Sequence, residues 1–305
     1  MNAIINGATD WVYEEEFTLA KGYQWSPDGR RIAFLRFDES AVREFTMTNY
    51  RNELYPQYET FKYPKVGEAN SVVQVFIHDV KSRKNRKVET GAEADSYIPR
   101  IKWTADPEKL CVYHLNRHQN DLRLLLADAR SGKTSLLLRE TNEYYLDENL
   151  MDDLFFFKDG KQFLRSSEKD GFRHLYLHDM SGAELRQITQ GNWEVTQVYG
   201  VDEARQLVFY QAAKRSPIER EVYSMSIEGK REQRLAAQNG WNSAQFSSTF
   251  DYYVVTHSSA NTPPSFAVFD REARLVRPIE DNAGLRKKQE EFGVSELEFF
   301  DFQTG

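Results

Sequence analysis

The chain has 305 residues, 40% of them apolar and 13% aromatic, which is enough to bury a large core and too hydrophobic for intrinsic disorder. Its 40 Lys and Arg against 47 Asp and Glu leave a net charge of −7, which argues against nucleic acid as the main partner. No apolar run approaches the roughly 18 residues of a membrane span, and MNAIINGATD lacks the charged-then-apolar pattern of a signal peptide. The 20 Phe and 16 Tyr favour sheet over a helix bundle.

The first notable stretch is TDWVYEEEF, Thr9 to Phe17. Asp10 or Thr9 is placed to cap a short helix, with Glu14, Glu15 and Glu16 following. Successive helical side chains diverge by about 100°. If Trp11, Tyr13 and Phe17 pack inward, at least one of the three carboxylates is expected to be drawn toward protein or a cavity. Two readings stand on the residues alone. One is a solvated turn, as charge runs usually are. The other is a site for a positive charge, in which two converging carboxylates suit an ammonium group and its three donors.

Beyond it the chain repeats. WSPDGRRIAFLRFD starts at Trp25, WTADPEKLCVYHLNR at Trp103, FFKDGKQFLRSSEKDG at Phe156, YGVDEARQLVFYQAAK at Tyr199 and FSSTFDYYVVTHSSAN at Phe246. Each places an aromatic before a polar turn and an apolar strand after it. In SPDG, Pro27 fixes φ and Gly29 tolerates positive φ, so the chain reverses. A further alternating strand follows each hairpin, as in VFIHDVKS, LLLADARSG and LYLHDMSG. The starts lie 78, 53, 43 and 47 residues apart. The last three spacings match the ~40–50 residue period of a four-stranded propeller blade. The expected fold is all-β, a β-propeller of four-stranded blades with about five blades present.

The long first interval holds a Tyr- and Pro-rich insertion at about 39–71, which reads as an arm outside its blade. From about 279 to 305 the pattern changes to a connecting segment. There DNAGLRKKQEEFG reads as a short helix and SELEFFDF as a final strand. Residues 1–305 are otherwise expected to form a single, partial propeller domain. The ending FQTG has neither cap nor charged tail, so the chain reads as cut at both ends.

Catalytic motifs are scarce. No G-x-S-x-G, phosphate-cradling Gly motif, H-E-x-x-H or C-x-x-C occurs. His114/His118 and His174/His178 have i, i+4 spacing, but HLYLH reads as a strand, where such residues lie about 13 Å apart, too far for one metal. No metal and no cofactor are expected. Asp152/Asp153 and Glu290/Glu291 read as turn and solvated-helix charges. Cys111, the single cysteine, sits in KLCVYHL and reads as a buried strand residue.

These motifs carry a resemblance. DWVYEEEF, WSPDGRRIAFLRFDES, YPQYETFKYPKVGEANSVVQVFIHD, LNRHQN, SSEKDGFRHLYL and TQGNWEVTQV stand in the order found in the N-terminal propeller domain of dipeptidyl-peptidase IV, of the prolyl oligopeptidase clan of serine peptidases. The chain resembles that domain along nearly all its length. The resemblance implies an eight-bladed propeller, of which these blades match the C-terminal portion, covering an α/β-hydrolase domain. It implies removal of N-terminal dipeptides with Pro or Ala in second position. It implies that Glu15 and Glu16, the last two glutamates, hold the substrate's free α-amine, with Trp11 and Tyr13 packed behind them. It also implies a homodimer through the arm and an exported, periplasmic or cell-surface protein. The Ser, Asp and His of the triad are not in this chain, so no catalytic residue is assigned and the chain alone is expected to be inactive. The region around NEYYLDENLMDDLFFF shows no equivalent of the family's Phe-Arg pair. Two other readings stay open, a stand-alone propeller serving protein interaction and the propeller of a tripeptide-releasing relative.

Overall fold

The turn chemistry of SPDG is realised as an interlocked hairpin. Gly29 N–H donates to the Ser26 carbonyl at 2.9 Å with Gly29 at φ +70°. Ser26 Oγ donates to Asp28 Oδ1 at 2.7 Å and accepts from Arg31 N–H at 3.0 Å. A hairpin closed this way launches a strand whose inward positions, Ala33, Leu35 and Phe37, are all fully buried. The alternation is the period-2 pattern of a sheet with one packed face.

A computed structural model describes residues 3–51, 54–91, 95–236 and 238–303. Parts of three expectations fall on residues outside these, namely Asn52 and Glu53 in the arm and Met1, Asn2, Thr304 and Gly305 at the chain ends. The first sheet contains β1 (Ile4–Asn6), β2 (Tyr23–Trp25), β3 (Arg31–Asp38), β6 (Val72–Asp79) and β7 (Lys84–Lys87); the intervening β4 (Glu44–Asn49) and β5 (Gln57–Lys62) pair only with each other, as a two-stranded ribbon within the arm. The second sheet holds β8 (Ser96–Tyr97), β9 (Ile101–Trp103), β10 (Lys109–Asn116), β11 (Asp121–Asp128) and β12 (Thr134–Thr141). The third is β13 (Phe155–Phe156), β14 (Gln162–Ser167), β15 (His174–Asp179) and β16 (Glu184–Gln187). The fourth is β17 (Val195–Asp202), β18 (Leu207–Ala212), β19 (Glu221–Ser226) and β20 (Glu232–Ala236). The fifth is β21 (Trp241–Phe246), β22 (Tyr252–Ser259), β23 (Thr262–Asp270) and β24 (Leu275–Glu280). The described residues also form the α-helices α1 (Trp11–Phe17) and α2 (Ala283–Glu291) and a 3-10 turn at Glu148–Asp152.

In the third to fifth sheets the strands neighbour one another in chain order, which is the meander of a propeller blade. In the first two, the outermost strand is split. β1 and β2 lie along the same edge of β3, as β8 and β9 lie along one edge of β10. The chain leaves the ladder between the halves and returns to it.

The chain divides into two compact units. One contains residues 1–163 and 179–183, the other residues 164–178 and 184–305. The core of the first joins Leu35, Val75 and Ile77 of the first sheet to Ile101, Leu110, Val112 and Leu124 of the second. The turn after β11 sits so close to the first sheet that a Cβ on Gly132, at φ +78°, would stand 2.2 Å from the Lys87 carbonyl oxygen, so glycine is required there. The core of the second unit is built from Phe209, Val222 and Leu235 of the fourth sheet with Ala244, Tyr253 and Val255 of the fifth.

One expectation is corrected. SELEFFDF alternates like a strand, yet no strand is assigned at Ser295–Phe302, and Leu297, Phe299, Phe300 and Phe302 are exposed. Alternation specifies a strand only where a neighbour supplies the ladder. Asp152 and Asp153 lie at the end of a 3-10 turn at Glu148–Asp152, where Asp153 is buried and Asp152 pairs with Arg100, and Glu290 and Glu291 are exposed on α2. Cys111 is fully buried in β10.

Candidate functional site at helix α1

Helix α1 occupies the gap between β1 and β2. Gly22 N–H donates to the Gly7 carbonyl at 3.0 Å, and the Thr9 hydroxyl reaches the Leu19 carbonyl at 2.5 Å, so the chain leaves and re-enters the edge strand at nearly one point. The helix starts where its cap residue dictates. Asp10 Oδ1 accepts from Tyr13 N–H at 2.9 Å, while the Ser71 hydroxyl donates to Oδ2 at 2.6 Å. The carboxyl is buried, and burial pushes its pKa up while these two hydrogen bonds pull against that. The helix ends at Thr18, in the left-handed region at φ +50°, with Leu19 N–H on the Tyr13 carbonyl at 3.1 Å.

One face of this short helix is bolted down. Tyr13 and Phe17 are each 1% exposed. Tyr13 meets Phe37 edge-on at 4.8 Å between centroids, and Phe17 meets Tyr97 at 5.2 Å. Burying two such rings is worth about 1.5–3 kcal/mol each. The Tyr13 hydroxyl accepts from Ile98 N–H at 2.7 Å. That N–H lies in the break between β8 and β9, so the tyrosine replaces a missing ladder bond. Arg100, in the same break, donates through Nη2 to the Phe17 carbonyl at 2.9 Å and pairs through Nε with Asp152 at 2.6 Å.

The other face carries the carboxylates. Glu14, Glu15 and Glu16 are all exposed. The condition for one of them to be drawn inward, that Trp11 pack with Tyr13 and Phe17, is not met. Trp11 turns away from the core, 38% exposed, which frees angular room for three outward neighbours. It lies against Tyr63 at the base of the arm, with centroids 4.2 Å apart. Among the described residues no cation pairs with any of the three glutamates. No basic residue stands in the last helical turn, where the helix dipole's negative end disfavours carboxylates.

Glu16 has one neutral partner. Gln119 Nε2 donates to its Oε1 at 2.5 Å. Gln119 sits at φ +55° in the turn from β10 to β11. The Asn116 side chain locks that turn by accepting from Asn120 and Asp121 N–H at 2.9 and 3.0 Å. Nearby, Tyr97 accepts from Asn70 Nδ2 at 3.0 Å, and the Arg117 guanidinium lies 5.7 Å from its ring centre. Burial pushes the Tyr97 hydroxyl pKa up, and the charge on Glu16 adds to it. Asn70, Arg117 and Gln119 have no functional motif of their own in the sequence, lying in YPKVGEAN and LNRHQN.

His118 lies in the same turn as Arg117 and Gln119, and the His174 ring is held by its own neighbours. His174, on β15, bonds the Thr189 hydroxyl at 3.0 Å and the Gly191 carbonyl at 2.9 Å. No group of three or more metal-ligating side chains occurs among the described residues. No helix among them is long and apolar enough to cross a membrane.

Comparison with known proteins finds relatives in sequence and in structure. The sequence profile of the dipeptidyl peptidase IV (DPP IV) N-terminal region matches residues 1–264. The chain is 28% identical to a probable dipeptidyl peptidase 4 of Aspergillus flavus, over 98% of this chain and 41% of that protein. It is 27% identical to dipeptidyl peptidase 4 of Trichophyton rubrum, over 98% of this chain and 40% of that one. The chain thus spans about two fifths of the length of these relatives. The crystal structure of Porphyromonas gingivalis dipeptidyl peptidase 4 superimposes with a TM-score of 0.89 at 45% identity, covering 94% of this chain and 41% of that one. The sheets are therefore propeller blades of that fold.

Proposed function

The chain belongs to the dipeptidyl peptidase IV N-terminal region family, and from that premise we propose that it serves a serine exopeptidase releasing Xaa-Pro and Xaa-Ala dipeptides from peptide N-termini. Glu15 and Glu16 clamp the substrate's free α-amine, and the blades gate access to the nucleophile. The nucleophile and its partners belong to a hydrolase domain of the full-length protein, and the chain alone is inactive. The arm supports a homodimer, and the protein is exported.

The observation that carries this reading is the pairing of rigidity with vacancy of charge. Asp10, Tyr13, Phe17 and Arg100 fix the helix from beneath. The carboxylates above are exposed and without a cationic partner among the described residues. A solvated turn has no need of such anchoring. An ammonium ligand would relieve both the repulsion between the neighbouring carboxylates and their conflict with the helix dipole. Counting two residues inward from a fixed amine is then how a dipeptide is measured.

The test is steady-state cleavage of Gly-Pro-anilide by the full-length protein and its Glu15→Gln and Glu16→Gln variants. Loss of kcat/KM in both supports the clamp. Unchanged kcat/KM in both would overturn it, and binding of a folded partner indifferent to free N-termini would favour an interaction module.

A further inference from the structure

A cavity of about 370 Å³ lies in the second unit, between the inner faces of the fourth and fifth sheets. Its walls include Leu235, Val255, Ala267 and Phe269, with His257 and Ser265 at one end. The reason for the space is legible in the register. Val255 pairs with Ala267 and His257 with Ser265, so the two adjoining strands present small side chains where the facing strand offers Leu235 and Ala236. Leu235 and Val255 pack together in the core of this unit, and the space opens beside them, where Ser265, Ala267 and Ala273 bring little volume. The volume falls within the range of small-molecule sites, which run about 300–1,000 Å³.

One polar side chain in the wall has a defined and unused valence. Asn242 Nδ2 donates to the carbonyls of Arg220 at 2.8 Å and Gln238 at 2.7 Å. Two carbonyl partners fix that atom as the amide nitrogen, so Oδ1 must accept. It faces His257 Nδ1 at 3.1 Å, and Nδ1 therefore carries the imidazole proton. Nε2 is left as a bare acceptor, and among the described residues nothing donates to it. His257 is 9% exposed, and its burial holds its pKa below the ordinary value, so the ring is neutral. The arrangement is held from behind, since Gln211 donates to the Asn242 carbonyl at 2.6 Å and accepts from the Thr196 hydroxyl at 2.7 Å. The wall is mixed, apolar at Leu235, Val255, Ala267 and Phe269 and polar at Arg234, Gln238, Asn242 and Ser265, and an aromatic molecule entering it can meet His257 Nε2 with a hydrogen-bond donor.

We propose that this cavity is a binding site for a small neutral hydroxyaryl compound, whose rings lie against Leu235, Val255 and Phe269 and whose hydroxyl donates to His257 Nε2. The site is independent of Glu15 and Glu16 and of the peptidase reading.

The test titrates the full-length protein with 2-naphthol and with 2-methoxynaphthalene, which has the same rings and no donor. Expected are saturable one-to-one binding of 2-naphthol, at least tenfold tighter than its methyl ether, and slower carbethoxylation of His257 by diethyl pyrocarbonate when 2-naphthol is present, read by peptide mass spectrometry. His257→Phe should erase the preference, and Ala267→Phe should abolish binding of both. Equal affinities in the unmodified protein, absent saturation, or unprotected His257 would each overturn the proposal without reference to a variant's folding.

Discussion

The hydroxyl of Ser71 donates to the buried carboxylate of Asp10 at 2.6 Å, across 61 residues of sequence. It joins the residue just before β6, after the arm, to the N-cap of the glutamate helix. The arm and the helix are therefore set by one hydrogen bond as well as by the Trp11–Tyr63 contact. Removing either partner should be costly. Asp10→Ala should lose about 1–2 kcal/mol as a missing N-cap, and Ser71→Ala about 1–3 kcal/mol by leaving a buried carboxylate oxygen unmatched. Urea unfolding measures both, and the double variant should lose less than the sum.

Tyr13→Phe keeps the ring and deletes one oxygen. The Ile98 N–H then has no acceptor in a place where Ile98 is 2% exposed. About 1–3 kcal/mol should be lost, seen as a lower urea midpoint with unchanged slope. A variant as stable as the parent would mean that water replaces the hydroxyl.

The clamp has a residue-level signature. Glu15→Gln and Glu16→Gln in the full-length protein should each lower kcat/KM by about 10²-fold or more, the scale of losing a charged partner to a bound ammonium. Glu14→Gln should stay within about threefold. Gln119→Ala frees Glu16 without removing its charge, so a smaller loss, mainly in KM, is expected.

The ligand's own charge matters equally. An N-terminal amine loses its proton near pH 8, so affinity for a free-amine dipeptide should fall as pH rises past about 8. N-acetylated peptide should bind much more weakly at every pH. Equal binding of the acetylated and free peptides in a competition assay would remove the ammonium from the mechanism.

Glu39 gives a stability signature in pH. It is buried, and burial, with the nearby charge of Asp10, raises its carboxyl pKa above the unfolded value of about 4.3. The fold therefore favours the protonated form. Its contribution is present below the unfolded value and is lost as pH rises through the folded one. Glu39→Gln should match the parent in Tm near pH 4 and exceed it near pH 7, by thermal unfolding across that range.

The features legible in the sequence are those fixed by neighbours in the chain. Asp10 as a cap, Gly29 in its turn, the aromatic-turn-strand repeat of five blades and the buried strand around Cys111 all follow from contacts within a few residues or from a period-2 pattern. TDWVYEEEF likewise announced a capped helix bearing acid. What the chain could not state by itself is where its side chains end up relative to distant ones. Trp11 faces the arm because Tyr63 is there. Tyr13 fills a gap in another blade's ladder. Gln119 finds Glu16 from 103 residues away, and Asn242 sets the tautomer of His257 through a strand register. SELEFFDF has a strand's alternation and no strand, because a ladder needs a partner that alternation does not name. Local sequence decides conformations whose hydrogen bonds close nearby, whereas pairings closed across loops of tens of residues depend on the packing of whole sheets, and only the tertiary structure decides those.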